Sequence, residues 1–188
     1  MKRKLLPTQN RILLIILHPH PYMGGSPNNN VVELFLDLPF QIYTPQLIGL
    51  VAECEVKRIK KKVRQLDFDK CYIIGYSYGS LVAALLAQEV KCDKLMLISI
   101  PYSVSIFCTL QMSKIKQFLK NTEIPLKIVH GSDDQFASPL KIQQNFKEVT
   151  VLSSVDHFWF YKEKELLEIG SHFLLNESRQ KSRPSINY

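Results

Sequence analysis

Residues 75–79 read Gly75-Tyr76-Ser77-Tyr78-Gly79, set between the apolar run Cys71-Tyr72-Ile73-Ile74 and the helix-like Ser80-Leu81-Val82-Ala83-Ala84-Leu85-Leu86-Ala87-Gln88. Strand, sharp turn and helix in immediate succession are what a G-x-S-x-G elbow requires. A serine on that turn is pushed out above the carboxyl end of its strand, and the flanking glycines let backbone approach where a Cβ would clash. Ser77 is therefore the best-marked reactive group of the chain. The five-residue spacing alone is a weak signal, so the partners found downstream carry the argument.

A serine nucleophile needs a base, and the base needs an orienting carboxylate. The predicted strand Leu126-Lys127-Ile128-Val129 runs into His130-Gly131-Ser132-Asp133-Asp134, a turn-rich loop at a carboxyl strand end, where ligand groups collect in an open parallel sheet. The loop after the preceding apolar run, Leu95-Met96-Leu97-Ile98-Ser99-Ile100, holds no carboxylate before Glu123. Asp133 and Asp134 are thus the two choices for the acid. A last predicted strand, Val149-Thr150-Val151-Leu152, leads to Ser153-Ser154-Val155-Asp156-His157-Phe158 and then a closing helix, which places His157 as the base.

Charge that appears only in a tetrahedral transition state is met by backbone N–H donors. One belongs to the residue after the nucleophile, Tyr78. The other is expected in the loop after the first core strand, Ile12-Leu13-Leu14-Ile15-Ile16-Leu17, which continues His18-Pro19-His20-Pro21-Tyr22-Met23-Gly24-Gly25-Ser26. Pro19 and Pro21 have no N–H to give. That leaves His20, Tyr22 or Met23, of which Tyr22 is favoured. Five of the seven glycines, Gly24, Gly25, Gly75, Gly79 and Gly131, fall in these three loops.

With these residues in place, the chain resembles a small α/β-hydrolase of the dienelactone-hydrolase-like group, whose first loop reads H-P-H-P-x-x-G-G-[ST]. The likeness spans about residues 11–175, and its most specific parts are His18-Pro19-His20-Pro21 and Gly24-Gly25-Ser26. It implies Ser77 as nucleophile, Asp134 as acid (Gly131-x-x-Asp134 being the family's usual form of that loop, with Asp133 the fallback), His157 as base, and N–H donors from Tyr78 and the His20–Met23 segment. The chain departs from the family in three places. Phe40-Gln41-Ile42-Tyr43-Thr44-Pro45 passes straight towards a helix where relatives have a longer, Gly-rich segment, Ser138 stands where proline is frequent, and no glycine immediately precedes His157.

At 188 residues with 46% hydrophobic and 22% charged, the composition is that of one globular domain with a full core. The sequence predicts strands near 12–17, 40–43, 71–75, 94–100, 126–130 and 148–152, and helices near 30–37, 46–66, 79–90, 112–121, 139–146 and 163–175. That alternation gives an α/β class, a minimal α/β-hydrolase fold of six mostly parallel strands with helices on both faces and no lid domain. Residues 1–11 read as an N-terminal extension, 12–175 as the domain, and 176–188 as a polar tail expected to be disordered unless a partner holds it. Pro101 to Met112 can serve as a single flap, with Phe107 joining Tyr22, Tyr78 and Phe158 around the pocket.

The net charge of +7 concentrates in Lys57-Arg58-Ile59-Lys60-Lys61-Lys62-Val63-Arg64 and at the two ends. On a helix, Leu50, Cys54, Ile59, Val63 and Leu66 would form a buried stripe and leave the cations in water. This basic stretch at 57–64 or the C-terminal tail would suit a protein partner. Nucleic acid is disfavoured because no zinc-finger or RNA-recognition signature accompanies the charge. The cysteines at 54, 71, 92 and 108 show no C-x-x-C spacing and read as free core thiols of a reducing compartment. No run approaches the ~20 apolar residues of a membrane span. An intracellular, most readily cytoplasmic, protein is expected, with nucleus and mitochondrion as alternatives.

Several conspicuous residues have plain explanations. His18-x-His20 has metal-like spacing, but no acid or cysteine lies near it and prolines flank it, so no metal site and no cofactor are expected. His130 and His172 read as packed or hydrogen-bonded histidines, Asp156 as a loop or capping residue, and Phe158-Trp159-Phe160-Tyr161 as packing around the closing helix, with Phe158 beside the pocket. The expected activity is a serine hydrolase cleaving a small ester, thioester or activated amide of an acyl substrate through an acyl-enzyme. The alternative is a non-catalytic hydrolase-like subunit or interaction module.

Overall fold

The computed structural model describes residues 11–49, 51–103 and 106–176, with side chains described from 112 onward in the last of these stretches. Six strands form one sheet: β1 (Ile12–Leu17), β2 (Gln41–Tyr43), β3 (Lys70–Tyr76), β4 (Lys94–Ile98), β5 (Leu126–Gly131) and β6 (Val149–Leu152). Their order is β2-β1-β3-β4-β5-β6, and all five pairings are parallel. Parallel neighbours need crossovers. The helices α1 (Asn30–Glu33), α2 (Ala52–Val63), α3 (Tyr78–Leu86), α4 (Ile106–Asn121), α5 (Pro139–Asn145) and α6 (Glu163–Leu175) lie in the connections or close the chain.

Successive side chains of a strand point to opposite faces, so a strand covered on both faces reads as an unbroken apolar run. In β1, Leu13, Ile15 and Leu17 join a core with Val56 and Ile59 of α2, Leu81 and Leu85 of α3, Ile115 and Leu119 of α4, and Ile142 of α5. Leu14 and Ile16 join the opposite core with Val31, Val32, Phe35 and, from α6, Leu166 and Leu174. Trimming one such buried side chain to alanine costs about 2 to 5 kcal/mol, against a typical net stability of about 5 to 15 kcal/mol. At the lower end of the sheet Lys94 Nζ donates to the carbonyls of Phe173 (2.9 Å), Leu174 (2.8 Å) and Asn176 (2.5 Å), placing a cation on the otherwise unpaired carbonyl end of α6.

The connection after β2 differs from expectation. The predicted helix over 46–66 starts only at Ala52, and residues 44–49 run as irregular chain. Their backbone donors are taken by side chains: Leu47 N–H by His18 Nε2 (2.8 Å), Ile48 N–H and Gly49 N–H by Glu55 Oε1 (3.1 and 2.6 Å). The buried stripe is Ala52, Glu55, Val56, Ile59 and Val63, and Cys54, about 140° around the helix from Ile59, is exposed, so it is not a core thiol. Burial drives the Cys71 thiol up to about 12, out of the reactive range. Cys108 and Leu50 lie outside the described residues.

Smaller differences follow local chemistry. The first helix stops at Glu33 and continues as turns through Asp37, while the fourth begins at Ile106, so much of the expected flap is helical. Phe107 has no described side chain, and the N-terminal extension and the tail beyond Asn176 fall outside the described residues. Among the described residues no helix is long and apolar enough to cross a membrane.

Candidate active site

The strand order reverses at β1, which has β2 on one side and β3 on the other, and a crevice at the carboxyl ends of such strands is where an open parallel sheet collects ligands. Ser77 sits there, directly after β3, with φ 54° and ψ −123°. A positive φ is strained for a residue with a Cβ, and such strain persists only where neighbours over-determine it. They do so here: Ser77 N–H donates to Ile98 O (2.9 Å), and Ser77 O accepts from both Ser80 N–H (2.9 Å) and Ser80 Oγ (2.6 Å). Both elbow glycines are required by contact. A Cβ on Gly75 would lie 2.3 Å from Gly79 O, and one on Gly79 would lie 2.1 Å from Leu17 O. The end of β1 therefore abuts the start of α3.

The sequence-predicted partners converge on this serine. His157 Nε2 lies 2.8 Å from Ser77 Oγ, and His157 Nδ1 lies 2.8 Å from Asp134 Oδ2. Asp134 Oδ1 accepts from Phe136 N–H (2.9 Å), so both carboxylate oxygens are engaged. Burial opposes ionisation of this carboxyl, but the hydrogen bond and charge of His157, with His130 and the Phe136 N–H, outweigh it and hold Asp134 below the usual carboxylate range. Asp133 is exposed and accepts from Ser132 Oγ (2.7 Å), away from the imidazole. Gly131 lets the two loops meet, since a Cβ there would stand 2.2 Å from Val155 O.

The loop carrying His157 is held from several sides. Tyr76 Oη donates to His157 O (2.7 Å), Asp156 Oδ1 accepts from Phe158 N–H (2.9 Å) and Trp159 N–H (3.1 Å), and fully buried Trp159 donates Nε1–H to Ser99 Oγ (2.9 Å). Asp156 is thus a turn residue, as expected. Phe136 meets the His157 ring edge-on at 4.5 Å between centroids, and Phe158 does so at 5.8 Å while 40% exposed. Trp159 is core, whereas Phe160 and Tyr161 face solvent, which corrects the reading of the whole run as packing. Phe136 and Tyr76 were missed from the sequence. The available signal was that a buried tyrosine hydroxyl needs a partner.

The first loop differs from expectation at Tyr22. Its N–H is taken by His20 Nδ1 (3.2 Å), Met23 N–H donates to His20 O (2.9 Å), and the Tyr22 side chain is 76% exposed. Residues 21–23 close into a 3-10 turn on Pro21, whose fixed φ suits a first helical position, and this turn consumes the two donors. The His20 N–H has no acceptor among the described residues, and the His20 ring packs edge-on against Tyr78, 4.8 Å between centroids. Tyr78 itself opens α3, where the helix dipole favours negative charge, and its Oη donates to Gly49 O (3.1 Å).

Buried imidazoles give the molecule an acid-sensitive core. His18 and His130 are both fully buried, and burial pushes the proton affinity of each below the usual histidine value. His130 is hydrogen-bonded, as expected, through Nε2 to Ala137 O (2.8 Å), and its Nδ1 stands 3.8 Å from Asp134 Oδ2 without a partner. His172 is exposed and hydrogen-bonded to the Asn176 side-chain amide (3.1 Å). An imidazole whose folded pKa is depressed contributes stability that is complete above its unfolded pKa, about 6.5, and is lost as pH falls below it. Asp134, also depressed, adds a loss only below its own unfolded value of about 3.9. Thermal unfolding followed by circular dichroism should give a flat Tm above pH 7 and a decline beginning below about 6.5. A Tm unchanged down to pH 5 would contradict this assignment.

No family model matches the chain, and no curated protein matches it. Its fold is nevertheless shared with solved structures. An α/β serine hydrolase homologue from Coxiella burnetii is 23% identical with a TM-score of 0.71, covering 89% of this chain and 88% of its own. A lidless α/β serine hydrolase from Xanthomonas campestris is 18% identical with a TM-score of 0.68, covering 88% and 82%. Est1E from Butyrivibrio proteoclasticus is 15% identical with a TM-score of 0.70, covering 90% and 88%. The chain has the α/β-hydrolase fold, with a single sheet of six parallel strands and six α-helices among the described residues, shared with a neighbour that lacks a lid.

Proposed function

We propose that this protein, one domain over residues 12–175, is a serine hydrolase that cleaves a small ester, thioester or activated amide through an acyl-enzyme. The observation that carries this reading is the unbroken line Ser77 Oγ, His157 Nε2, His157 Nδ1, Asp134 Oδ2, with 2.8 Å at each hydrogen bond and the serine on a strained elbow. Ser77 attacks the acyl carbon while His157 takes its proton. The same imidazolium returns the proton to the leaving group, and water repeats the sequence to release the acid. Asp134 holds the ring in the tautomer with its proton on Nδ1. The N–H groups of Tyr78 and His20 meet the oxyanion. The fold itself supports hydrolase chemistry only by analogy, since one fold serves many activities.

The test is a fluorophosphonate probe, which should modify the folded protein at Ser77 alone. A folded protein that stays unlabelled would leave the non-catalytic subunit as the better account. The exposed cations Lys57, Lys61 and Lys62 on α2, with Arg64 at its C-terminal cap, are then the surface offered to a protein partner.

The substrate should be short. With Phe136 and Phe158 crowding His157 and no lid domain among the described residues, the site favours p-nitrophenyl acetate or butyrate over the decanoate and palmitate esters. A long-chain site would gain about 1 to 3 kcal/mol per well-fitted methylene. Efficiency rising steadily with acyl length would therefore contradict the proposal and indicate a lipase or depalmitoylating thioesterase.

A further inference from the structure

The geometry points to His18 as a positioning residue for the oxyanion site, acting through the Pro19–His20 peptide; this rests on the serine-hydrolase reading above. His18 is fully buried and spends both ring nitrogens on backbone. Its Nε2 accepts from Leu47 N–H at 2.8 Å, which requires that nitrogen to be unprotonated and puts the ring proton on Nδ1. Nδ1 lies 2.7 Å from Pro19 O and donates to it. Pro19 O belongs to the same peptide unit as His20 N–H, and no peptide in the described residues is cis. In a planar trans peptide the C=O and N–H point in opposite directions. Fixing the carbonyl on the His18 ring therefore aims the N–H the other way.

That N–H has no acceptor among the described residues, while the next available donors of the loop, those of Tyr22, Met23, Gly24 and Gly25, are all spent within the turn. Gly25 closes the other side of the same carbonyl, since a Cβ there would stand 2.1 Å from Pro19 O. The loop lies against the nucleophile: Gly79 packs on the carbonyls of Leu17 and His18, and the His20 ring on that of Tyr78. Leu47, which sets the His18 tautomer, belongs to the irregular segment whose Gly49 carbonyl takes the Tyr78 hydroxyl. The metal-like His18-x-His20 spacing is thus explained by one histidine orienting the peptide of the other.

Two substitutions separate the two bonds of the ring. In His18→Asn the side-chain amide can stand at the Nδ1 position and still donate to Pro19 O, but it loses Leu47. In His18→Gln the side-chain oxygen can reach the Nε2 position and hold Leu47, but the donor to Pro19 O is gone. For p-nitrophenyl acetate, loss of one oriented oxyanion donor should lower kcat by ~10²-fold to ~10³-fold in His18→Gln with KM little changed, and His18→Asn should stay within about tenfold of wild type. Equal kcat losses in the two variants, or a change confined to KM, would overturn the assignment.

A measurement on the unmodified protein covers variants that fail to fold. When a boronic acid adds to Ser77, the His20 amide proton should move downfield in the ¹H–¹⁵N spectrum, and an unmoved signal in a protein that forms the adduct would overturn the role. If wild type neither hydrolyses esters nor forms the adduct, the hydrolase reading fails by itself. A crystal structure of His18→Gln then decides the positioning claim: a turned Pro19–His20 peptide supports it, and an unchanged one overturns it.

Discussion

Ser77→Ala should abolish ester hydrolysis and all fluorophosphonate labelling while leaving the circular dichroism spectrum and Tm close to wild type. The expected loss in kcat is on the order of 10⁶-fold, the scale on which triad enzymes lose activity when the nucleophile is removed. The stability expectation follows from what Ser77 contributes to the fold. Its structural bonds are made by backbone: N–H to Ile98 O, and O to the Ser80 N–H and hydroxyl. Alanine keeps all three and tolerates φ 54° no worse than serine does, because both carry a Cβ. The hydroxyl makes one side-chain hydrogen bond, to His157 Nε2, and that imidazole remains tied to Asp134 and, through its carbonyl, to Tyr76. Turnover that survives within tenfold of wild type would mean that some other group does the chemistry.

The elbow was legible because two signals coincide there: an apolar run buried on both faces, and glycines whose spacing answers to a physical contact. The same holds for β5, whose buried half runs into Gly131 and the Asp134 loop, while the half-buried edge strand β6 was legible from its apolar residues alone. The choice between adjacent aspartates was not available from periodicity, because Asp133 and Asp134 share one loop; a hydrogen bond to Phe136 N–H and the burial of one carboxylate separate them. Local competition hid the rest. The segment before Ala52 was read into the helix, yet Glu55, buried against the Ile48 and Gly49 N–H groups with Arg58 on its other oxygen, ties residues 48–49 down as irregular chain. Tyr22 was favoured as an N–H donor by elimination of the prolines, but Pro21 also starts a 3-10 turn that consumes the Tyr22 donor. Both errors concern the direction of backbone N–H groups, which composition and spacing do not encode.

The two x positions of the elbow show how much can hide in a motif. Tyr76 and Tyr78 flank the same serine, and the sharp turn at Ser77, where β3 ends and α3 begins, sends them to opposite cores. The Tyr76 hydroxyl holds the carbonyl of His157, and the Tyr78 hydroxyl holds the carbonyl of Gly49. The base loop and the irregular segment after β2 are thereby both braced on the two residues that flank the nucleophile. Preorganisation of this kind is what a site needs if its groups are to be within a fraction of an ångström of productive geometry.

Asp134→Asn should lower kcat for a short ester by about 10⁴-fold, whereas Asp133→Asn should leave it within a few-fold of wild type. The asymmetry comes from the hydrogen-bond inventory. His157 Nε2 must be free of its proton to accept that of Ser77, so the ring proton must sit on Nδ1, and Asp134 Oδ2 at 2.8 Å is the acceptor that keeps it there. An asparagine side chain that keeps its oxygen on Phe136 N–H presents NH₂ to Nδ1. The ring then accepts at Nδ1 and carries its proton on Nε2, the wrong tautomer for a base. The defect should ease as pH rises, because hydroxide or the serine alkoxide can replace the missing base step, so the ratio of wild-type to variant kcat should shrink towards pH 10. Asp133 bonds only Ser132 Oγ and, through its N–H, Val155 O, and neither contact reaches the imidazole. If Asp133→Asn proved the more damaging substitution, the acid would have to be reassigned and the loop between Gly131 and Phe136 would have to rearrange during turnover.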